Sequence, residues 1–302
     1  MTWPIYISTQ MNDLDNMVDP DFGLLPMNYA FHDWPTSAND PKAYDPVRWE
    51  KTITRFLPTA THYMGTERHN PQDWQIIADD PAIKGYNRRF RPNSPFFLDI
   101  EFTERLQLET ERDTAIAIID DLRGTLVSHY GAGGAMIGYY TLGMDWVNSL
   151  NRPDSPNFNS SKETLLNRVR TLNRAYNGAG RFDARAFQDV VDYWCPFVFR
   201  IPGDGDKQAA SVIKNTIKIC RQYAPKQLLP GWFPYRFGSG EPLDPNEIRH
   251  DLKCIREMGA DGLVLLGNFH DDANGQASGN VFTSTTQEYG LVKAFAKDIN
   301  GY

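Results

Sequence analysis

From residue 96 onward, short apolar runs alternate with longer stretches in which apolar residues recur every three to four positions, the pattern of strands followed by helices. It predicts strands over 96–101, 135–141, 196–201, 227–235 and 262–268. Most intervals between them fit one strand–helix–loop unit of roughly 30 residues or more, and the longer second interval carries an insertion near 148–182. A helix over 103–129 would put Ile116, Ile119, Leu122 and Leu126 on one stripe. Asp244, Pro245 and Glu247 form an N-cap, a first-turn proline and an acidic third position ahead of Ile248, Leu252, Ile255 and Met258, with Gly259 as the stop. Ser160 with Glu163, and Ser284 with Gln287, read as two further helix starts.

Residues 1–95 are less regular and rich in Pro, Asn and Asp. Candidate strands lie at 5–8, 26–31 and 59–64, with one helix at 46–56. Counting these gives eight strands, the number that closes a parallel barrel. The expectation is therefore an α/β chain, a single (β/α)8 TIM-like barrel domain over 1–302, distorted or one strand short in its N-terminal half. A doubly wound open sheet is the competing architecture.

Composition narrows the function. Lys plus Arg number 31 against 38 Asp plus Glu, a formal charge of −7. With no basic run, the chain lacks the positive stripe that nucleic acid demands, so no nucleic-acid partner is expected. No stretch approaches the ~18 apolar residues of a membrane helix, so no membrane partner is expected either. Residues 1–6 show no basic or apolar leader, which makes a cytoplasmic location the default expectation. Cys195, Cys220 and Cys254 are too far apart for a zinc pattern and read as buried free thiols. No cofactor and no metal are expected.

In parallel α/β folds ligands bind where the strands end. The five clear strands end in Asp99-Ile100-Glu101, Tyr139-Tyr140-Thr141, Phe199-Arg200, Tyr235-Arg236 and Asn268-Phe269-His270-Asp271. The first is the most informative. Strand alternation sends Asp99 and Glu101 to one face, about 6.5 to 7 Å apart along the chain. In a dry site two like charges that close split their pKa values, leaving one acid protonated near neutrality beside an anionic helper. That pair suits proton donation to a leaving group. The plain alternative is that Asp99 bonds loop amides while Glu101 caps the next helix or faces water.

The order of short motifs, Asp99-Ile100-Glu101, then Gly138-Tyr139-Tyr140, then Cys195-Pro196-Phe197-Val198-Phe199, then Leu229-Pro230-Gly231-Trp232-Phe233-Pro234-Tyr235, then the run from Gly259 to Gly267, resembles the hyaluronidase-type glycoside hydrolases over residues 96–270. The resemblance implies a distorted barrel that hydrolyses an N-acetylated glycan. It implies that Glu101 protonates the glycosidic oxygen, that Asp99 assists the substrate's N-acetyl group as internal nucleophile, and that Tyr140 donates a hydrogen bond. Where the family has a second tyrosine this chain has Phe199, and the family's tryptophan near the last strand is replaced by Leu266 or displaced to Phe269. Lysozyme-like barrels that cleave peptidoglycan also carry an Asp-x-Glu strand.

Around this pair, Tyr139, Trp194, Trp232 and Tyr235 are candidate walls for sugar rings, or core filling. Arg236 could bind an acidic sugar or pair at the surface. Asn268 and His270, with Asp271 and Asp272, could line the site; a cation there is the rival, disfavoured because the ligands are contiguous. His32-Asp33 lines the cleft if the preceding strand joins the barrel, and otherwise forms a local pair. The glycine-rich 131–134 segment precedes a strand rather than opening a helix, so it reads as the end of the long helix and not as a phosphate loop. Two rival functions remain: a non-catalytic carbohydrate-binding or structural protein on the same barrel, and a metal-dependent enzyme using the Asp271 loop.

Overall fold

The computed structural model describes residues 2–8, 14–34, 93–102, 131–140, 185–223, 226–237, 239–266 and 282–301, positions 167 and 170, and ten helical positions between 112 and 127. For 29–34, 99–102 and 139–140 it describes the backbone. The expected strand at 59–64 and the helix at 46–56 lie outside the described residues, as do Asn268 and His270; of the helix expected from Ser160, positions 167 and 170 are described and are helical.

The strands are β1 (Ile5–Ser8), β2 (Leu24–Trp34), β3 (Phe96–Phe102), β4 (Ile137–Tyr140), β5 (Tyr193–Trp194), β6 (Gln227–Leu228), β7 (Gly231–Trp232) and β8 (Leu263–Leu265). The named helices are α1 (Leu14–Met17), α2 (Phe187–Val190), α3 (Asp206–Tyr223), α4 (Pro245–Glu257) and α5 (Gln287–Asn300). The strands pair in parallel, so the chain is α/β with a parallel sheet, as its pattern predicts. Two compact units are present, one of residues 1–27, 144–165 and 193–302, the other of 28–143 and 166–192.

In the first unit β1 lies between the start of β2 and β8, with Ile5 in register with both Leu24 and Leu263. All four of its residues are buried, which is why it reads Ile-Tyr-Ile-Ser rather than as an alternating strand. β6 and β7 are two halves of one extended segment. Leu229 N–H donates to Trp194 O and Gly231 N–H to Pro196 O on one side, while Val264 N–H donates to Pro230 O and Leu266 N–H to Trp232 O on the other. Pro230 has no N–H to give, so the predicted run at 227–235 is interrupted there. The neighbouring prediction at 196–201 begins too late: the regular strand is Tyr193–Trp194, and beyond it pairing continues at Phe197, which bridges Gly231, and at Val198, whose N–H donates to Gly231 O, while Pro196 has no N–H to give. Gly231 has no alternative in this packing, since a Cβ would stand 2.7 Å from Phe197 Cδ1 and 2.8 Å from Leu266 Cδ1.

Helix α4 starts as its sequence dictates. The Asp244 carboxylate accepts from Asn246 and Glu247 N–H at 2.8 and 3.0 Å, and the Glu247 carboxylate accepts from Asp244 N–H at 3.2 Å. Gly259 follows it at φ 87°, where a side chain would be strained. Helix α5 is capped by Thr286, whose hydroxyl accepts from Tyr289 N–H. The expected cap, Ser284, lies two residues too early. Asn300 at its far end accepts from Trp3 N–H at 2.8 Å and donates to Phe22 O at 3.0 Å, tying the last helix to the first strand.

In the second unit β2 from Asn28 onward pairs with β3, and β3 with β4. The described part of the long helix buries Ile116, Ile119, Leu122 and Leu126, the stripe expected from their spacing. It ends near Gly131, at φ 63°, with Ala132 N–H donating to Leu126 O. Asp192 anchors β4: its carboxylate accepts from Ile137 N–H at 2.7 Å and from Arg123 at 2.6 Å, while Asp192 N–H donates to Ile137 O.

Candidate active site

The carboxyl end of β3 lies in the second unit, and register alone decides what shares it. Asp99 is in register with Phe31 on one side and Tyr140 on the other, and Glu101 with Asp33. Alternation puts positions 99 and 101 on one face of β3, and in-register positions of parallel neighbours share that face. Phe31, Asp99 and Tyr140 thus form one row, and Asp33 and Glu101 the next. Along the strand the two rows are about 6.6 Å apart, while adjacent strands are separated by about 4.8 Å. Among the described positions, the acidic position in register with Glu101 is Asp33 on β2, one strand spacing away, whereas Asp99 lies two places back on the same strand. β2 runs to Trp34 rather than stopping at 31, and this brings His32 and Asp33 into the ladder. Tyr139 occupies the row of Leu98, the opposite face.

Upstream the strands are anchored tightly. Asn28 N–H donates to Pro95 O and Phe96 N–H to Met136 O, and Phe96, Phe97 and Leu98 are buried. Carboxylates at 99 and 101 follow an apolar run whose position is fixed by packing, which gives the strand end a rigid base.

The other candidates belong to the first unit. Trp194 and Trp232 are buried at 1% and 0% exposure, and Tyr235 is also buried. Trp232 Nε1–H donates to Asp251 at 3.4 Å. Both indoles contribute to the core there. Arg236 donates to Glu247 at 2.7 Å and to Asp204 O at 3.1 Å, so its charge is met by protein groups.

These contacts belong to a polar cluster that sequence reasoning missed. Arg200, fully buried, donates from Nε and Nη2 to the two oxygens of Asp251 at 2.9 and 2.7 Å, from Nη1 to Glu247 at 3.0 Å and from Nη2 to Asp206 at 2.7 Å. His250 Nδ1 lies 3.1 Å from Asp251 Oδ1. Burial alone would lower the Arg200 pKa, but the hydrogen bonds and charges of Asp251, Asp206 and Glu247 outweigh it and hold the guanidinium above its ordinary value. The cluster pins the ends of β5's extension, α3 and α4 together, with every carboxylate answered by an arginine. The signal was available: Asp251 falls on the apolar stripe of α4 between Ile248 and Leu252, and a carboxylate on such a face implies a buried cation.

Among the described residues no group of three or more His, Cys, Asp or Glu side chains is placed to hold a metal ion, and no helix is long and apolar enough to cross a membrane.

No family model matches the chain, and no curated protein matches it. Among solved structures it is similar to bee venom hyaluronidase, at 13% identity and a TM-score of 0.39 over 82% of this chain and 65% of that one. It is similar also to the catalytic domain of a chitinase from Pyrococcus furiosus, at 9% identity and a TM-score of 0.42 over 100% and 97% of the two chains. A third is an endo-1,4-beta-D-mannanase from Thermotoga petrophila, at 10% and 0.39 over 92% and 76%. The likeness is remote. The chain spans just under two thirds of the bee enzyme's length, and the roles of individual residues are argued from this chain alone.

Proposed function

We propose that the protein is a glycoside hydrolase acting on an N-acetylated glycan, with Glu101 as general acid. The observation that carries this reading is the register at the end of β3, which sets Asp99 and Glu101 on one face, Asp33 beside Glu101 and Tyr140 beside Asp99. In a dry site, carboxylates at such adjacent positions would favour a protonated member, the role assigned here to Glu101. Glu101 stands at the outermost of these rows. There it delivers its proton to the glycosidic oxygen as the C–O bond breaks. Asp99 stays ionised and holds the amide of the substrate's N-acetyl group, whose carbonyl oxygen attacks the anomeric carbon in place of a protein nucleophile. Tyr140 supports that amide. Water then opens the cyclic intermediate, returning a proton to Glu101. Acid and helper on the same strand, rather than across the sugar from each other, suit this substrate-assisted route.

The experiment is incubation of the whole protein with hyaluronan, chitin oligomers and peptidoglycan, following new reducing ends, with Glu101→Gln in parallel. Removing a positioned general acid typically costs 10²- to 10⁴-fold in rate. Cleavage undiminished in the variant takes Glu101 out of the mechanism. Sugar binding with no turnover by the unaltered protein favours a carbohydrate-binding role instead, a reading that Phe199 in place of the family's second tyrosine supports.

A further inference from the structure

Among the described residues the ladder between β3 and β4 ends with Asp99 opposite Tyr140, whereas the ladder between β2 and β3 continues through Glu101 opposite Asp33 to Phe102 opposite Trp34. Seven consecutive pairs hold that second register. It is clamped at its start, where Asn28 N–H donates to Pro95 O at 2.8 Å and the Asn28 side-chain amide to Ser94 O at 3.3 Å. A slip of one residue would carry position 33 to the opposite face. On the face of Glu101 the two flanking strands and β3 itself place four other titratable positions among those described: Asp33, Asp99, Tyr140 beside Asp99 and, two rows back, Tyr29. His32 and Tyr139 are in register with Ile100 and Leu98 and belong to the other face.

The spacing of the three acidic positions is unequal. Backbone geometry sets Glu101 about 4.8 Å from Asp33 across the ladder and about 6.6 Å from Asp99 along the strand, while Asp33 and Asp99 stand on the diagonal, about 8 Å apart. Like charges at such separations disfavour each other's ionisation, more strongly where water is excluded. Glu101 is the neighbour common to both, so the arrangement with least repulsion has Asp33 and Asp99 ionised and the proton on Glu101. The ordinary values point the same way, about 3.9 for Asp against about 4.3 for Glu. We infer that Asp33 is a positioning residue for the acid: from the adjacent strand it keeps Glu101 protonated, and Asp99 is left to hold the substrate amide. This division of roles rests on the proposed hydrolase reading, and it moves the proton-keeping role from Asp99, two places back on β3, to a residue of β2.

The test reads the proton directly. The whole chain, carboxyl-labelled with carbon-13 at Asp and Glu, is titrated by NMR, the Glu101 signal being the one lost in Glu101→Gln. Its midpoint is expected about one unit or more above the ordinary Glu value. Asp33→Asn, which removes the neighbouring charge and keeps the shape, should bring the midpoint down by about one unit or more, Asp99→Asn by less, and Asp33→Glu, which restores a carboxylate, should leave it raised. An ordinary midpoint in the unaltered chain overturns the inference without any variant, as does a midpoint that Asp33→Asn leaves in place or that Asp99→Asn lowers further. Activity on chitohexaose and a hyaluronan octasaccharide separates the two readings. Where the chain cleaves a probe, the alkaline limb of kcat/KM should move to lower pH in Asp33→Asn by the same amount as the midpoint, because removing a like charge makes Glu101 give up its proton sooner. A raised midpoint that Asp33→Asn lowers, in a chain that cleaves neither probe, upholds the pairing and counts against the hydrolase reading; cleavage lost in Glu101→Gln with a midpoint indifferent to Asp33 does the reverse.

Discussion

Replacing Arg200 by Met removes the cation at the centre of the buried cluster while keeping an unbranched apolar stem. The cost follows from what is left behind. Asp251, 2% exposed, loses both bonds of a bidentate pair, and Glu247, 11% exposed, loses one of its two arginines. Asp206, 56% exposed, simply returns to water, and such a surface leg is worth at most about 1 kcal/mol. The buried part dominates: stranding one carboxylate of a buried pair costs about 3 to 5 kcal/mol, a large share of the roughly 5 to 15 kcal/mol by which proteins are stable. Urea unfolding followed by tryptophan fluorescence suits the question, because Trp232 donates to Asp251. A fall of about 3 kcal/mol or more is expected for Arg200→Met. The double change Arg200→Met with Asp251→Leu should recover part of that loss, since no stranded charge remains at position 251. A single variant within about 1 kcal/mol of the unaltered protein, or a double variant whose loss is the sum of the two singles, would refute the view that stranded charge sets the cost.

Three further outcomes are expected. Gly231→Ala forces a Cβ to within 2.9 Å of Phe197 and Leu266, so it should lower stability by about 1 to 3 kcal/mol in the same urea assay; an unchanged midpoint would mean that the neighbours give way freely. The Cys220 thiol, wholly buried, has its pKa pushed up to about 12 by desolvation, with Arg221 offsetting a little. A disulfide reagent at pH 8 should therefore label it only at the rate of opening, and rapid labelling of Cys220 in the native protein would contradict its burial. The Asp244 carboxyl is held below its ordinary pKa by hydrogen bonds from Glu247 and Asn246 N–H. A depressed folded pKa contributes stability that is present above the unfolded value near 4 and lost as pH falls through the folded one. Melting between pH 5 and 2.5 should thus show a smaller acid loss for Asp244→Asn than for the unaltered chain, and identical profiles would remove this carboxyl from the acid response.

What could be read from the chain beforehand divides by the range of the forces involved. The α4 cap was legible because Asp244 and Glu247 answer backbone groups within one turn, and the buried stripe of the long helix because it is periodic. Strand β3 was legible as an apolar run ending in carboxylates. Proline chemistry is also local: Pro196 and Pro230 each remove a donor, so the regular strands break there although pairing resumes beyond them. Thr286 displaced Ser284 as a cap because helix α5 begins later than the first hydroxyl that could serve. The pairing of Asp33 with Glu101 and of Tyr140 with Asp99 was out of reach, since register between strands depends on how the whole sheet packs and not on either strand's own sequence. Of the Arg200 cluster, the sequence signals a buried cation through Asp251 on the apolar stripe of α4, but not which arginine supplies it, since Arg200 lies outside the two helices, α3 and α4, that carry its partners. Glu247 in particular looked complete as a capping residue, yet one of its oxygens also binds both Arg200 and Arg236.

The most direct test of Glu101 as the proton donor varies the leaving group. Once a cleaved glycan is known, kcat/KM is measured on it and on its dinitrophenyl glycoside, whose departure needs no proton, for the unaltered protein, Glu101→Gln and Asp99→Asn. The account predicts that Glu101→Gln loses about 10²- to 10⁴-fold on the glycan but comes close to the unaltered protein on the aryl substrate, whereas Asp99→Asn stays impaired on both. Equal impairment of Glu101→Gln on the two substrates, or none on either, would contradict it.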